Sequence, residues 1–252
     1  MFGTIDILRI SLGSFRMGGL LVAMPVIGTS ALPRGFRFIF ALAISSMISS
    51  FLPELPAGIL QGNLLFLVLM REIGLGLLGG FSIRFVFLLV TMALDFASIQ
   101  MGFAIANIFD PQNNSEISVV AQLGAVLSII LFFSSNMHHD VFLALIKTYQ
   151  IIPIGLPDWQ VDLLSSRLIA FLSTIFSISL RLSWPVMVVM LTIHIIMGII
   201  SRTAPQMNLF FNVTFIVNIV AGFVLIVLTM PRIYSQMKQG MDRLVEHGLG
   251  LI

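Results

Sequence analysis

Long apolar blocks separated by short breaks make up almost the whole chain of 252 residues. The breaks are rich in proline, glycine and polar residues, which end helices or allow turns. Most blocks approach or exceed the roughly 20 residues that an α-helix needs to cross a bilayer. The pattern therefore predicts an all-α, polytopic chain of membrane-type helical hairpins with six or seven hydrophobic segments. The blocks cover approximately residues 7–32, 36–52, 59–80, 81–108, 117–137, 168–200 and 209–230.

Composition excludes several classes of protein. The chain is 58% hydrophobic, 10% charged and free of cysteine, whereas about a quarter of the residues in a soluble domain are charged. So few charges cannot cover a water-facing surface, and we expect a membrane-type protein rather than a soluble enzyme. The lack of cysteine excludes disulfides and sulfur-based zinc sites. With no basic run there is no footprint for nucleic acid. We expect a single domain over residues 1–252.

Two prolines predict interruptions late in the chain. Pro185 lies inside the block 168–200 and predicts a kink or a break into two helices, and Pro231 predicts the end of the last block. Beyond Pro231, apolar residues recur at helical spacing among charged ones. This pattern is typical of an amphipathic helix at a membrane interface, which we expect for a tail of about residues 232–252. The recurring apolar residues are Ile233, Met237, Met241 and Leu244.

Charged residues inside the apolar blocks are the first anomaly. A charge at the bilayer centre costs at least about 2.5–3.5 kcal/mol, so we expect these residues to pair with partner helices or, alternatively, to form a proton or ion path. Arg84 and Asp95 are three turns apart on one helix face. Arg71 and Glu72 are adjacent and are predicted not to face each other. The set is Arg9, Arg16, Arg71, Glu72, Arg84, Asp95 and Arg181.

Small residues and histidines predict packing rather than chemistry. Gly76 and Gly80 have the small-xxx-small spacing that lets another helix approach closely. His138 and His139 are adjacent, point about 100° apart on a helix, and have no second ligand cluster, so no metal site is predicted. His194 stands alone in an apolar block and is predicted to be packed and hydrogen-bonded. No catalytic motif is present, so we expect neither enzymatic activity nor a cofactor.

A polar segment, residues 109–116, separates two apolar blocks. It is flanked by small and apolar residues, including Met101 and Phe103. One interpretation is a solvated hairpin connection. The other is a re-entrant or pore-lining segment, because non-helical backbone at membrane depth is tolerated where it lines a cavity or is buried in protein. The segment consists of Phe109, Asp110, Pro111, Gln112, Asn113, Asn114, Ser115 and Glu116.

Short motifs occur along this profile in an order that resembles the FliR family of flagellar biosynthetic proteins and its counterparts in virulence type III secretion. The resemblance runs from Arg16 to about Pro231. Two departures from the family pattern occur: His194 stands where an acidic residue is common, and Val217 and Asn218 occupy the region where a lysine usually follows the proline-glutamine motif. The motif residues include Arg16, Met24, Pro25, Gly28, Glu72, Gly74, Gly76, Gly79, Phe109, Asp110, Pro111, His138, His139, Pro153, Arg202, Pro205, Gln206 and Asn208.

The resemblance implies a non-enzymatic core subunit of the flagellar type III export gate. Such a subunit assembles with FliP-like, FliQ-like and FlhB-like subunits in the bacterial inner membrane, at the flagellar basal body, with the complex displaced toward the periplasm. Unfolded export substrates pass through its channel, and the segment 109–116 with Met101 and Phe103 would help plug it. Partner subunits would then meet the buried polar and packing residues, namely Arg16, Glu72, Gly76, Gly80, Arg84, Asp95, Arg202, Pro205, Gln206 and Asn208.

Two alternatives remain open at this point. The chain could be the export-gate counterpart of a virulence secretion system. It could also be a self-contained proton-coupled transporter that uses Glu72, Arg84 and Asp95 as an intramembrane relay, although no internal duplication of the kind found in transporters is present.

Overall fold

The computed structural model describes residues 4–26, 33–48, 52, 62–103, 118–154, 161–203 and 209–246. Over these ranges the chain forms seven helices and no strand, which confirms the predicted all-α fold. The helices are α1 (Thr4–Ala23), α2 (Arg34–Met47), α3 (Gly62–Met101), α4 (Val119–Ser134), α5 (Met137–Ile151), α6 (Val161–Thr203) and α7 (Leu209–Glu246).

Three helices are longer than the apolar blocks suggested. The blocks 59–80 and 81–108 form one continuous helix, α3, in spite of the glycines near residue 80. Pro185 and Pro231 lie inside α6 and α7, so the predicted break at Pro185 and the predicted helix end at Pro231 are wrong. A proline removes one backbone donor and strains one turn, but that cost does not end α6 or α7.

Helix α5 lies in a stretch of mixed polarity that the block pattern does not predict as a helix. Its buried residues recur every three or four positions, so one face packs inward while the polar residues occupy the other. This amphipathic pattern is weaker than a membrane-span signal and is visible only at helical periodicity. The buried residues are Met137, Val141, Ala144, Leu145, Thr148 and Tyr149.

The C-terminal part of α7 is amphipathic, as predicted, but its apolar face packs on protein. Ile233, Met237, Met241 and Leu244 are each at most 2% exposed. Gly240 also lies against Val86, where an added Cβ would sit 3.3 Å from its methyl carbons. The expectation that this face lies in a membrane interface is therefore wrong for residues 233–244.

Fewer helices could cross a membrane than the six or seven segments suggest. Among the described residues, three helical stretches are long and apolar enough, Leu65–Met101, Ile169–Thr203 and Val213–Glu246. A fourth is possible if α4 and α5, which meet at a bend of 74°, count as one broken span. One reason for the smaller number is that α3 merges two predicted segments into one helix.

The chain forms two compact units. The first comprises Met1–Val86, Phe132–Leu172 and Gln239–Ile252, and its core includes the α1 residues Leu12, Met17 and Leu20. The second comprises Phe87–Leu131 and Ser173–Lys238. In the second unit, Ser179 and Ser183 of α6 donate hydrogen bonds to the Leu89 and Ala93 carbonyls of α3, at 3.1 and 2.7 Å.

Candidate functional site: a buried charge cluster and the ends of the polar segment

Arg16 and Glu72 form a buried ion pair in the first unit. The Arg16 Nε–H donates to Glu72 Oε2 at 2.7 Å, and Nη2 donates to Oε1 at 3.1 Å. Arg16 is 1% exposed and Glu72 is fully buried. This two-point geometry suits a planar guanidinium and a carboxylate. The two ionised groups neutralise each other inside an apolar helix pair.

Two further groups complete the surroundings of Glu72 and Arg16. Arg71 Nη1 lies 3.6 Å from Glu72 Oε1 and donates to the Pro153 carbonyl at 3.0 Å. Arg16 Nη2 also donates to the Ile152 carbonyl at 3.0 Å. The prediction that Arg71 and Glu72 cannot face each other is therefore wrong, because the long Arg71 side chain bends toward its neighbour. The residues after α5 supply the remaining acceptors.

Helix α5 contributes side chains to the same cluster. The guanidinium carbon of Arg16 lies 4.2 Å from the centre of the Tyr149 ring, within cation–π range. The Tyr149 hydroxyl donates to the Gly13 carbonyl at 2.9 Å, and Arg16 Nη1 lies 3.4 Å from Thr148 Oγ1. Partner subunits were expected to meet these charges. For Arg16, Arg71 and Glu72, groups of the same chain supply these contacts, and contact with partner subunits stays a prediction.

Gly76 and Gly80 bring α3 against α1. A Cβ at Gly76 would collide with the Arg16 carbonyl, and one at Gly80 would lie 2.6 Å from the Leu20 carbonyl oxygen. On the facing helix, a Cβ at Gly19 would lie 2.6 Å from the Ile73 carbonyl oxygen. The predicted close helix approach is confirmed, and the approaching helix is α1. The backbones touch next to the ion pair, which fixes how far Arg16 must reach.

Helix α3 ends sharply just before the polar segment. Gly102 has φ of +91°, a conformation that favours glycine. The Gly102 and Phe103 amides donate to the Ile99 and Ser98 carbonyls, both at 3.2 Å. These two bonds form a Schellman motif, which satisfies the last carbonyls of a helix and turns the chain away. Met101, the last helical residue, is fully buried against Gly222 of α7.

Helix α4 begins just after the polar segment with a capped N-terminus. The Ala121 amide donates to Ser118 Oγ at 3.1 Å, and the Gln122 amide donates to the Ser118 carbonyl at 2.9 Å. Ser118 is thus an N-cap. Its hydroxyl in turn donates to Asp95 Oδ1 at 2.8 Å. Asp95, predicted as a buried polar residue, therefore bonds the start of α4.

The other predicted site residues fall into two groups. Arg84 and Arg202 are described and are exposed on α3 and α6. The polar segment 109–116 and the motif residues Pro205, Gln206 and Asn208 lie outside the described residues. The proposed relay residues have separate partners: Glu72 bonds Arg16, Asp95 bonds Ser118, and Arg84 is exposed.

The two departures from the family pattern meet in the second unit. Asn218 Nδ2 lies 2.8 Å from His194 Nε2. His194 is thus packed and hydrogen-bonded, as predicted from its isolation in an apolar block. This side-chain pair joins α6 and α7.

Sequence reasoning missed Thr148, Tyr149 and the carbonyls of Ile152 and Pro153. Periodicity through residues 137–149 would have revealed the helix that carries the two side chains. Nothing in the sequence marks the two carbonyls as acceptors, because every residue has one. Their role follows only from where α5 ends, at Ile151.

The described residues define an all-α, membrane-type protein whose buried polar groups join helices. Across the described ranges, no group of three or more His, Cys, Asp or Glu could hold a metal ion. A family model described as "Bacterial export proteins, family 1" matches residues 7–244. The chain belongs to this family, which contains the FliR proteins. It is accordingly a non-enzymatic, membrane-embedded subunit of a type III export apparatus.

Relatives from three bacteria illustrate the match. The flagellar biosynthetic protein FliR of Buchnera aphidicola (subsp. Acyrthosiphon pisum) is 26% identical over 88% of this chain and 84% of its own length. FliR of Escherichia coli is 27% identical over 86% of this chain and 82% of its own. The surface presentation of antigens protein SpaR of Shigella flexneri is 24% identical over 89% and 86%.

Proposed function

We propose that the chain is a core subunit of the flagellar type III export gate, in which the polar segment 109–116 helps plug the channel for unfolded substrates. The carrying observation is the family match, which extends through both compact units from residue 7 to 244. That continuity supports one functional domain. The FliR relatives favour the flagellar assignment. The SpaR likeness favours a virulence apparatus as the second candidate.

In this proposal, each part of the polar segment has a role. Asp110 and Pro111 favour a fixed turn after Phe109, since Asp satisfies nearby amides and Pro fixes its own φ. The uncharged residues 112–115 offer hydrogen bonds without holding a substrate tightly. Phe103, half-buried at the end of α3, supplies an apolar edge. Met101 is fully buried, which supports anchoring of the segment rather than direct sealing.

We propose that the assembled complex is displaced from the membrane plane toward the periplasm, and helix length fits a complex that extends beyond the bilayer. Helices α3, α6 and α7 have 40, 43 and 38 residues. At 1.5 Å per residue they extend about 57–65 Å, whereas the hydrocarbon core is about 30 Å thick. Each helix therefore exceeds one perpendicular span by roughly a factor of two. A test uses single cysteines at Ile169 and Thr203, near the two ends of α6, and an impermeant maleimide on intact inner-membrane vesicles. Both sites should react from the periplasmic side, and opposite-side labelling contradicts displacement.

Exposed apolar faces support partner subunits. Only 22% of the apolar window in α6 and 28% of that in α7 are buried within the chain. We propose that FliP-like and FliQ-like subunits cover these faces, that an FlhB-like subunit joins the assembly, and that Arg84, Arg202 and the motif at 205–208 contact such partners. Native mass measurement after co-expression with FliP-like and FliQ-like chains should show a complex. A stable, monodisperse monomer that ignores both partners would contradict the proposal.

The plug role is tested by removing residues 112–115 from the assembled complex. The expected result is a raised ion conductance in the closed state, because the deleted residues no longer fill the channel. Ser46→Ala is the control, since Ser46 is an exposed residue of α2 whose hydroxyl bonds the Ala43 carbonyl of its own helix. An unchanged conductance in a complex of normal composition shows that the segment does not plug the channel.

The flagellar and virulence assignments are distinguished by what is lost when the chain is deleted. Loss of flagellar filaments supports the flagellar assignment, and loss of injected effectors supports the virulence assignment.

A further inference from the structure

We infer that Asp95 is a positioning residue that holds together the two ends of the polar segment, an inference that rests on the proposed plug function. The carboxylate belongs to α3, six residues before the helix ends, and its partner Ser118 is the first described residue after the segment. One hydrogen bond of 2.8 Å thus joins α3, which precedes the segment, to the start of α4, which follows it.

Ser118 can make this link because its hydroxyl has two roles. The oxygen accepts the Ala121 amide as an N-cap, and the hydrogen is donated to Asp95. A hydroxyl supplies one donor and two acceptor lone pairs, so both bonds form at once. The N-cap of α4 and the contact with α3 are therefore coupled, because the Ser118 hydroxyl makes both hydrogen bonds.

The position of the carboxylate explains why an acidic residue fits in this apolar helix. A helix N-terminus carries partial positive charge from its free amides, and a nearby carboxylate is stabilised by it. Asp95 lies at the start of α4 through Ser118, so its charge has a favourable neighbour as well as a charge-assisted hydrogen bond. Asp95 lies within the apolar, span-length stretch Leu65–Met101, where a carboxylate is a candidate functional residue, and it lies beside the start of α4.

Two other contacts fix the end of α3 before the polar segment. The Schellman motif at Gly102 and Phe103 sets the direction in which the chain leaves α3, and buried Met101 holds the last turn against α7. With Asp95 and Ser118 linked, the chain on each side of residues 104–117 is held by these contacts. A plug that blocks ions in the closed state needs fixed flanking helices, because an unanchored loop samples many conformations.

The test compares four variants and one control in the assembled complex by closed-state ion leak. Asp95→Ala and Ser118→Gly both remove the link, and Gly retains most of the N-cap stability. We expect each to raise the leak roughly tenfold, the scale of one charge-assisted bond, and the double variant to leak no more than either single. Asp95→Asn keeps an oxygen acceptor for the Ser118 hydroxyl and should therefore leak less than Asp95→Ala. Thr91→Ala is the control, because Thr91 lies one turn before Asp95 and bonds only the Phe87 carbonyl of its own helix.

Hydrogen exchange of the first-turn amides of α4 separates this inference from the plug function. Loss of the link should speed exchange there in Asp95→Ala. Faster exchange with no leak in either Asp95→Ala or the 112–115 deletion refutes the plug function and leaves the link intact. Leak in the deletion alone shows that Asp95 does not position the plug. Unchanged exchange in both Asp95→Ala and Ser118→Gly overturns the link itself.

Discussion

The two units bury polar groups in different ways. The first unit encloses full charges, with Arg16 and Glu72 paired between α1 and α3 and surrounded by α5. The second joins its helices through single hydrogen bonds, namely serine hydroxyls on carbonyls, the His194–Asn218 pair and the Ser118 hydroxyl on the Asp95 carboxylate. The first unit neutralises the Arg16 and Glu72 charges internally. In the second, hydrogen bonds rather than a buried ion pair join the described helices, and the apolar windows of α6 and α7 are mostly unburied.

In this chain the buried ion pair lies in one unit, and most of the exposed apolar surface of α6 and α7 lies in the other. Breaking a charged pair leaves an unneutralised ion in a low-dielectric core, whereas removing a serine hydroxyl leaves carbonyls that remain bonded within their helix. Substitutions in the first unit should therefore be far more damaging than those in the second.

The largest effect is expected for Glu72→Leu. It leaves the Arg16 guanidinium buried without its carboxylate, which should lower the free energy of unfolding by about 3–5 kcal/mol. The measurement is denaturant unfolding in detergent, with the amount of chain in membranes as a second readout. Asp242→Ala, at an exposed position of α7, is the control and should change little. The double variant Arg16→Met/Glu72→Leu should recover much of the loss, and a double variant as unstable as Glu72→Leu would contradict this account.

Gly76→Ala should be the next most damaging change. The new methyl group collides with the Arg16 carbonyl, which is backbone and cannot rotate away, and overpacking of this kind costs about 1–3 kcal/mol. Gly18→Ala is a matched control on α1, since a Cβ there meets nothing within 4 Å. Equal stability of the two variants would show that α1 and α3 are not in close contact at Gly76.

Tyr149→Phe should have a moderate effect. The ring still lies over Arg16, but the hydrogen bond to the Gly13 carbonyl is lost, which predicts a decrease of about 1 kcal/mol in the free energy of unfolding. Tyr149→Leu removes the cation–π contact as well and should be clearly worse. If Phe and Leu are equally tolerated, the Arg16–ring contact contributes nothing.

The smallest effect is expected in the second unit, for Ser183→Ala. Its hydroxyl bonds the Ala93 carbonyl of the neighbouring helix at 2.7 Å, and interhelical bonds of this type contribute about 0.6 kcal/mol on average in a membrane protein. Ser177→Ala is the control, because Ser177 is exposed and bonds only the Ser173 carbonyl of its own helix. A loss for Ser183→Ala as large as that for Glu72→Leu would erase the contrast between the units.

The sequence predicted helices, the close packing at Gly76 and Gly80, and a bonded His194, because each depends on local pattern or on a residue type with few options. It did not predict that α3 continues past Gly80 or that α7 continues past Pro231. Helix-breaking residues weaken a helix locally, and tertiary packing decides whether the helix goes on. Gly76 and Gly80 of α3 lie against α1, and this packing supports the helix through the glycines.

The candidate site was harder to predict, since its contacts are distant in sequence. Arg16 and Glu72 were both recognised as anomalous, yet charge alone could not show that they bond each other across 56 positions. The same holds for Asp95, whose helical spacing suggested Arg84 and whose bonded partner is Ser118. A residue such as Ser118 gives no sign of importance until the end of one helix and the start of another are placed.

The separation of the Arg16 partners has a consequence for biosynthesis. Arg16 belongs to the first helix made, but Thr148 and Ile152 follow it by 132 and 136 residues. At 5–20 residues per second, a ribosome needs roughly 7–27 s to reach them. During that interval the Arg16 guanidinium lacks two of its hydrogen-bond acceptors. Helix α1 can therefore complete its packing only when more than half of the polypeptide has been translated.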